Sequence, residues 1–283
     1  MEVNTFAVIG GGTMGNGIVH VAAATGFKVI LVDVKQEFVD KAIKTITGNC
    51  DRQIKKGTLT EEAKSALLAN ITTSTDVKAV AAADIVVEAI IEDADVKKNL
   101  FKSLDSGCHP GAILASNTSS ISITALGAVT SRPDLVVGMH FMNPVPMMKL
   151  VEIVRGQATS DSTVAAVTAL SEKMGKTPVL VNDYPGFVAN RILMPMINEA
   201  VYCLMEGVAD AEAIDTVMKL GMAHPMGPLA LADLIGLDIC LAIMEVLHKG
   251  MGDSKYRPCP LLRRLVDAGH LGRKSGRGFF IYN

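Results

Sequence analysis

The chain has no tryptophan, and aromatic residues make up only 4% of its 283 positions. It also has no strong excess of either charge, because 27 basic residues face 29 acidic ones and the formal net charge is −2. Proteins that bind nucleic acid or anionic membranes generally present a basic patch or run, and none stands out here. The composition therefore disfavours nucleic acid and a membrane surface as main partners.

Cysteine is scarce and scattered along the chain. The cysteines are odd in number and show no C-x-x-C spacing, and the histidines show no metal-ligand spacing. Disulfide frameworks are typical of oxidising compartments and use paired cysteines. We therefore expect a reduced, cytoplasmic protein without a metal site.

Long uninterrupted apolar runs are also missing. The most apolar late stretch, Leu229–Leu247, contains Asp233 and Asp238, which favours a buried helix over a membrane span. The first residues lead straight into a predicted strand, so we expect no signal or transit peptide. Hydrophobic residues still make up 49% of the chain, enough for the cores of about two domains.

A glycine-rich turn near the start is the most informative feature that is present. The apolar strand Phe6–Ile9 is followed by Gly10, Gly12 and Gly15 in the G-x-G-x-x-G spacing. Such glycines permit a tight turn, the close approach of a pyrophosphate, and the packing of the next helix, here Met14–Thr25, on the strand. The start of that helix attracts anions through its N–H groups and dipole. The turn predicts dinucleotide binding.

An acidic residue follows at the distance that this fold requires. Asp33 ends the second predicted strand, Lys28–Val32, about twenty residues beyond the glycines. Its carboxylate can accept a hydrogen bond from the ribose 2′-hydroxyl of NAD, whereas it would repel the 2′-phosphate of NADP. The position predicts NAD rather than NADP, and the alternative is an ordinary surface aspartate at a strand end.

Strands and helices then alternate through the first two-thirds of the chain. Further strands are predicted at Asn70–Thr73, Ile85–Ala89, Ala112–Ser116, Val136–Phe141 and Pro178–Val181, with helices that include Gln36–Lys56, one from about Thr60, and Asp161–Met174. Near-continuous apolar strands are typical of a sheet covered on both faces. The pattern predicts an α/β protein with a Rossmann-type, doubly wound, mostly parallel sheet, whose ligands lie beyond the carboxyl ends of the strands.

The last third of the chain reads as almost entirely helical. Helices are predicted at Phe187–Glu206, Asp210–Leu220, Leu229–His248 and Pro260–Ala268, with one final strand at Phe279–Tyr282. The segment 182–186 is a strong breaker. We therefore predict a dinucleotide-binding domain at 1–183 and a helical substrate and dimerisation domain at 184–283.

A histidine and a glutamate flank a proline-rich bend that cannot continue a central strand. His140 and Glu152 each lie six residues from Pro146. If the chain folds back about Pro146, they lie opposite each other in an antiparallel pair, with Cβ atoms about 5 Å apart. A carboxylate in that place orients the imidazole, which can then exchange a proton near neutral pH. The bend predicts a catalytic acid/base pair, and the alternative is a core histidine satisfied by an acid.

Other polar residues stand where ligands of such a sheet bind. The segments 88–92 and 117–120 each follow a predicted strand, so the fold places both at the ligand edge. The basic cluster Arg52, Lys55 and Lys56 on the second helix is either a solvated face or a phosphate-binding site.

Six motifs in this order resemble those of one family. They read VIGGGTMG at 8–15, SNTSS at 116–120, MHFMNP at 139–144, PGFVANR at 185–191, HPMGP at 224–228 and LGRKSG at 271–276. Together they resemble the short-chain 3-hydroxyacyl-CoA dehydrogenases, most closely the bacterial 3-hydroxybutyryl-CoA dehydrogenases, and the resemblance covers essentially the whole chain.

The resemblance implies hydride transfer between NAD(H) and C3 of (S)-3-hydroxybutyryl-CoA or acetoacetyl-CoA, in fatty-acid or butyrate metabolism. It implies that His140 is the general acid/base, that Glu152 orients it, and that Ser119 and Asn190 surround the reacting oxygen. With the glycine turn, it gives cofactor contacts at Gly10, Gly12, Thr13, Met14, Gly15, Asp33, Glu92, Lys97, Asn117, Asn143 and Lys274, and substrate contacts at Ser119, Arg52 and Lys56. It also implies a homodimer, which the apolar helical domain favours.

The departures from the family pattern are small. Met142 stands where a second phenylalanine is common, and the run 91–93 differs slightly from the usual one; both bear on acyl-chain preference rather than on the reaction. Two rival functions are a β-hydroxyacid dehydrogenase with a catalytic lysine and a non-catalytic protein that only binds NAD or CoA. The joint presence of His140, Glu152 and Asn190 argues against both.

Overall fold

A mostly parallel eight-stranded sheet organises the first part of the chain in the computed structural model, which describes residues 3–282. The strands are β1 Thr5–Ile9, β2 Lys28–Val32, β3 Ile71–Ser74, β4 Ile85–Glu88, β5 Ile113–Ser116, β6 Val136–Phe141, β7 Leu150–Arg155 and β8 Thr177–Asn182. Their order across the sheet is β3-β2-β1-β4-β5-β6-β7-β8. Neighbours run parallel except β6 and β7, which are antiparallel. This confirms the predicted Rossmann-type sheet.

Helices connect these strands. They are α1 Thr13–Ala24, α2 Gln36–Lys55, α3 Glu61–Ala69, α4 Ala94–Gly107, α5 Ile123–Gly127 and α6 Asp161–Lys173. Several begin at a polar residue whose side chain accepts a hydrogen bond from a backbone N–H of the first turn, as Thr60 does for α3 and Asp93 for α4. Such caps satisfy groups that the helix itself leaves without a partner, so they set where the helix begins.

The central strands have the burial that is typical of a parallel sheet. Every residue of β4, β5 and β6 is buried, as expected for strands covered on both faces. Buried side chains of the strands and of α1 form one hydrophobic core that includes Phe6, Val8 and Ile18. Because β4 and β5 flank the middle of the sheet, the residues directly after them lie at its carboxyl edge.

The chain divides between Asp183 and Tyr184 into two compact units. The second unit contains α7 Ala189–Met205, α8 Ala211–Gly221, α9 Pro228–Ile235, α10 Leu237–Met251 and α11 Pro260–Asp267. Its own core includes Met194, Val201, Leu229 and Leu247. Among the described residues, no helix is both long enough and apolar enough to cross a membrane.

Two predictions for this second unit are wrong. The single helix Leu229–His248 is two helices, because Gly236 has φ of 107° and interrupts the hydrogen-bonded ladder between α9 and α10. Positive φ is accessible to glycine at little cost, which explains the break.

The final segment, Phe279–Tyr282, is not a strand. Its only bridge is an isolated one between Arg277 and Ile281. The buried Asp233 carboxylate instead accepts hydrogen bonds from the backbone N–H groups of Phe279 and Phe280 at 3.0 Å. A buried carboxylate needs such donors, and it holds the segment in a turn.

Candidate active site

The glycine turn at the end of β1 has the geometry that its spacing predicts. Gly10 has φ of 106°, and a Cβ there would lie 2.4 Å from the carbonyl oxygen of Ala89. A Cβ on Gly15 would lie 1.7 Å from the carbonyl oxygen of Gly10. Neither position can hold a side chain, because the backbone after β4 lies against Gly10 and the end of β1 lies against Gly15 of α1.

Gly12 differs from these two glycines. A Cβ on Gly12 would meet nothing within 4 Å, and no side chain caps the start of α1. Open space therefore lies in front of N–H groups at a helix start, an arrangement suited to a phosphate group. The start of α1, with Thr13 and Met14, fits the pyrophosphate of NAD.

Asp33 stands at the carboxyl end of β2 and is half-buried. Its Oδ2 accepts a hydrogen bond from the Gly11 N–H at 2.6 Å, and its Oδ1 accepts one from Val34 at 2.7 Å. The carboxylate thus ties the glycine turn to the neighbouring strand end. Each oxygen has a second lone pair, which leaves capacity for a ribose hydroxyl.

His140 and Glu152 lie opposite each other on the antiparallel pair β6 and β7. Both side chains are buried, and His140 Nδ1 is 2.7 Å from Glu152 Oε2. This is the register that folding about Pro146 predicts. A carboxylate at this distance accepts the proton on Nδ1, so the imidazole is oriented with Nε2 as its basic nitrogen.

Glu92 accepts hydrogen bonds from the residues that follow β5. Its Oε1 accepts hydrogen bonds from the Thr118 hydroxyl at 2.5 Å, the Ser119 N–H at 3.0 Å and the Ser120 hydroxyl at 2.9 Å. Burial raises the pKa of the Glu92 carboxyl, but the Lys97 ammonium and these hydrogen bonds outweigh it and lower that pKa overall. Glu92 is therefore an anion at neutral pH.

Lys97 is almost fully buried, with 1% of its side chain exposed. Its ammonium pairs with Glu88 and lies 3.3 Å from Glu92 Oε2. Glu88, which is completely buried, also accepts hydrogen bonds from the Ser116 hydroxyl at 2.6 Å and the Ile90 N–H at 2.7 Å. Glu88 thus holds Lys97 and the end of β5 together.

Individual roles for Glu88, Ser116, Thr118 and Ser120 are not predicted from the sequence. One signal for Glu88 was present, because an acid at the end of an apolar strand must find a partner when the strand is buried. The partner itself, Lys97 on α4, is not deducible from spacing.

The amides of Asn117 and Asn143 have different surroundings. Asn117 Oδ1 accepts a hydrogen bond from the Phe141 N–H at 2.9 Å, so it joins the ends of β5 and β6. Asn143 is exposed on the bend that follows β6. Both therefore belong to the same edge of the sheet as His140.

Arg52 and Lys56 lie at the far end of α2 and are exposed. Arg52 donates a hydrogen bond to Asn49. It lies sixteen residues after the start of α2, roughly 24 Å along the helix. The two basic residues are therefore remote from the beginning of α2, which lies next to Asp33.

Two predicted site residues belong to the second unit. Asn190 lies in the first turn of α7. Lys274, about half exposed, donates a hydrogen bond to Asp238 Oδ2 at 2.7 Å. Within residues 3–282, no group of three or more His, Cys, Asp or Glu side chains is placed to hold a metal ion.

Two models of one protein family together match nearly all of the described residues. Residues 5–184 match the model for the 3-hydroxyacyl-CoA dehydrogenase NAD-binding domain, and residues 186–282 match that for the 3-hydroxyacyl-CoA dehydrogenase C-terminal domain.

Individual relatives are similar over nearly their full lengths. The chain is 58% identical to a probable 3-hydroxybutyryl-CoA dehydrogenase of Bacillus subtilis, covering 100% of this chain and 98% of that one. It is 59% identical to a protein of the same description from Deinococcus radiodurans, over 98% of this chain and 99% of the other. The crystal structure of (S)-3-hydroxybutyryl-CoA dehydrogenase from Ralstonia eutropha superimposes with a TM-score of 0.97 at 53% identity, with both chains fully covered.

Proposed function

The chain belongs to the 3-hydroxyacyl-CoA dehydrogenase family, and we propose that its substrate pair is (S)-3-hydroxybutyryl-CoA and acetoacetyl-CoA. NAD-linked oxidoreduction of a 3-hydroxyacyl-CoA follows from family membership and from similarity over the full chain. The four-carbon acyl group is the finer proposal. It is supported by the names of relatives that are more than half identical to this chain.

The observation that carries the proposed mechanism is the buried His140–Glu152 pair, with 2.7 Å between Nδ1 and Oε2. In the oxidative direction, His140 Nε2 removes the proton of the C3 hydroxyl as the hydride leaves C3. Glu152 stabilises the imidazolium that forms, because it already accepts the proton on Nδ1. In the reductive direction, the imidazolium returns that proton to the oxygen on C3.

The residues of the glycine turn fit NAD. When bound, NAD supplies the hydride acceptor, and NADH supplies the hydride. Gly12, Thr13 and Met14 would hold the pyrophosphate at the start of α1, and Asp33 would accept from the ribose hydroxyl. Glu92, Lys97, Asn117, Asn143 and Lys274 are proposed for the nicotinamide half.

Ser119 and Asn190 are proposed as the polar groups that bind the reacting oxygen. Ser119 follows β5, and its N–H is held by Glu92, so its position is set by the same carboxylate that we assign to the cofactor. Arg52 and Lys56 are proposed to bind phosphates of CoA, since both are exposed cations at one helix end. An exposed pair of this kind can meet a long, charged substrate without being desolvated.

We further propose a cytoplasmic homodimer. The five cysteines of the described chain are all free thiols, which fits a reducing compartment. The dimer is supported by apolar side chains that α8 of the second unit exposes, including Val217 and Leu220.

The direct test follows the absorbance of reduced nicotinamide with acetoacetyl-CoA, in parallel with NADH and NADPH. We expect rapid oxidation of NADH and much slower oxidation of NADPH. Faster NADPH oxidation would retain the reaction but refute the role of Asp33. Binding of NADH without turnover would instead indicate a non-catalytic protein.

A further inference from the structure

Lys176 is a buried cation that the proposed mechanism does not use. It lies just before β8 and is 9% exposed. Its ammonium donates hydrogen bonds to two backbone carbonyls, that of Val145 at 2.5 Å and that of Met148 at 2.8 Å. Among residues 3–282, no carboxylate lies within 4.0 Å of it.

Such an environment is unfavourable for a charged side chain unless its hydrogen bonds offset the hydration that it has lost. Burial lowers the pKa of Lys176, because the charged form has lost water without gaining a counter-ion. A methionine of similar length would avoid this cost. The two carbonyl contacts are therefore the feature of this site that a lysine provides and an apolar residue does not.

Both carbonyls belong to the bend at 142–149, which connects the strands of His140 and Glu152. Strand pairing ends at Phe141 and Val151, so the ladder between β6 and β7 does not itself hold the bend. Within it, the N–H groups of Met147 and Met148 both donate to the carbonyl of Pro144 at 3.0 Å. Lys176 adds contacts to the bend from outside these two strands.

The bend also packs on α1. Val145 is buried, and a Cβ added to Gly17 would lie 2.8 Å from Val145 Cβ. The N–H of Thr177, the first residue of β8, also donates to the carbonyl of Lys149 at 2.7 Å. The bend is thus held by contacts with α1 and with residues 176–177.

We propose that Lys176 is a positioning residue for the reaction. Its ammonium, by holding the carbonyls of Val145 and Met148, fixes the bend that presents Asn143 to the nicotinamide half of the cofactor. This inference rests on the proposed function, because it assigns Lys176 an effect on hydride transfer through Asn143. Displacement of a positioning group by about 1 Å can lower a rate by up to about 100-fold.

The test is a double-mutant cycle on the full chain with Lys176→Met and Asn143→Ala, measured as kcat and KM with NADH and acetoacetyl-CoA. We expect Lys176→Met to lower kcat by about 10- to 100-fold while KM for acetoacetyl-CoA changes less than about threefold. In the Asn143→Ala background the same substitution should cost little more, because coupled residues are non-additive.

The matched control is Lys173→Met, which removes an exposed lysine three positions earlier and should leave kcat unchanged. Lys176→Arg keeps the hydrogen-bond donors and should keep most of the wild-type kcat. Hydrogen exchange followed by mass spectrometry should show faster exchange in 142–149 for Lys176→Met. If that variant does not fold, Lys176→Gln, which is too short to reach both carbonyls, takes its place in the cycle.

Three results would overturn the inference. They are a Lys176→Met enzyme with wild-type kcat, a loss of kcat that is fully additive with that of Asn143→Ala, and unchanged exchange in 142–149. An inactive wild type would refute the proposed function and this role with it. An active wild type that is insensitive to Lys176→Met would refute only the role of Lys176.

Discussion

At the scale of single residues, the proposed mechanism depends on the pairing of His140 with Glu152, which would make the imidazole a proton carrier rather than a packing residue. The Glu152 carboxylate is buried and lies directly opposite His140 on the neighbouring strand, so under this proposal it would stabilise the imidazolium at the place where it forms. A carboxylate that is already in position orients the ring and stabilises its charge without reorganisation during the reaction.

We predict that His140→Ala lowers kcat by about 100- to 10,000-fold, the usual contribution of general acid/base catalysis. The dissociation constant for NADH should change little, because the residue acts on the proton and not on the cofactor. Steady-state kinetics and fluorescence titration of NADH measure the two quantities. A variant with near wild-type turnover would remove His140 from the mechanism.

Asp33 is predicted to decide the choice of nicotinamide cofactor. The Asp33→Asn variant keeps an oxygen that can accept from Gly11 but has no charge to repel a 2′-phosphate. We expect the ratio of kcat/KM for NADPH over NADH to rise at least about tenfold, equivalent to about 1.4 kcal/mol. Asp33→Ala should shift the ratio in the same direction with a larger loss of NADH affinity. An unchanged ratio in both variants would contradict the 2′-hydroxyl role.

We predict that His20 makes folding stability depend on pH. Burial lowers the pKa of His20, and the nearby Lys176 ammonium lowers it further. Its Nδ1 is buried without a hydrogen-bond partner among the described residues. The stabilising contribution of neutral His20 is complete above the unfolded pKa of about 6.5 and is lost as the pH falls below it, with a slope of up to about 1.4 kcal/mol per pH unit.

We therefore expect His20→Gln to reduce the loss of unfolding free energy between about pH 7 and pH 5, as measured by urea denaturation. His248→Gln, which replaces an exposed histidine on α10, is the control and should behave as wild type. Equal pH slopes for wild type and His20→Gln would show that His20 does not contribute.

At the scale of elements, the glycine turn between β1 and α1 meets two different requirements at two of its positions. Gly15 is required by packing, since its Cβ would overlap the carbonyl of Gly10, whereas Gly12 faces open space. The first requirement concerns folding, and the second concerns only a ligand that approaches the start of α1.

This difference predicts opposite outcomes for two similar substitutions. Gly15→Ala should lower the free energy of unfolding by about 1–3 kcal/mol or more, as overpacking does. Gly12→Ala should change stability by less than about 0.5 kcal/mol and raise the dissociation constant for NADH at least about tenfold, since the new methyl group occupies ligand space. Denaturation and NADH titration of both variants test this, and equal effects on stability would contradict it.

At the scale of the whole molecule, the second unit exposes several large apolar side chains. Leu220 on α8 is 82% exposed, and Val217 on the same helix is 61% exposed. Clusters of exposed apolar side chains mark interaction surfaces more often than isolated ones do. This surface is the one on which the proposed homodimer would depend.

Light scattering should therefore give twice the chain mass of 29.9 kDa. Leu220→Glu should shift the mass towards that of the monomer, because a buried unpaired carboxylate disfavours an interface. Glu212→Gln, an exposed change on the same helix, serves as the control. A monomeric wild type would contradict the dimer, and a fully dimeric Leu220→Glu would exclude this face.

The amino-acid sequence alone was enough to predict much of the local structure of this protein. The alternation of strands and helices, the glycine turn and the distance to Asp33 depend on residues close in sequence. Their backbone preferences are local, so spacing is sufficient to predict them. The register of His140 and Glu152 was also predictable, because a short bend leaves few ways to pair its two arms.

Only the tertiary structure decided the contacts between distant segments. Glu88 pairs with Lys97 and accepts a hydrogen bond from Ser116, and Lys176 reaches the carbonyls of the bend. The same holds for Asp233, which prevents the final segment from forming the predicted strand. A buried polar group must find a partner, but the partner is chosen by which elements pack together, and that depends on the whole fold rather than on sequence spacing.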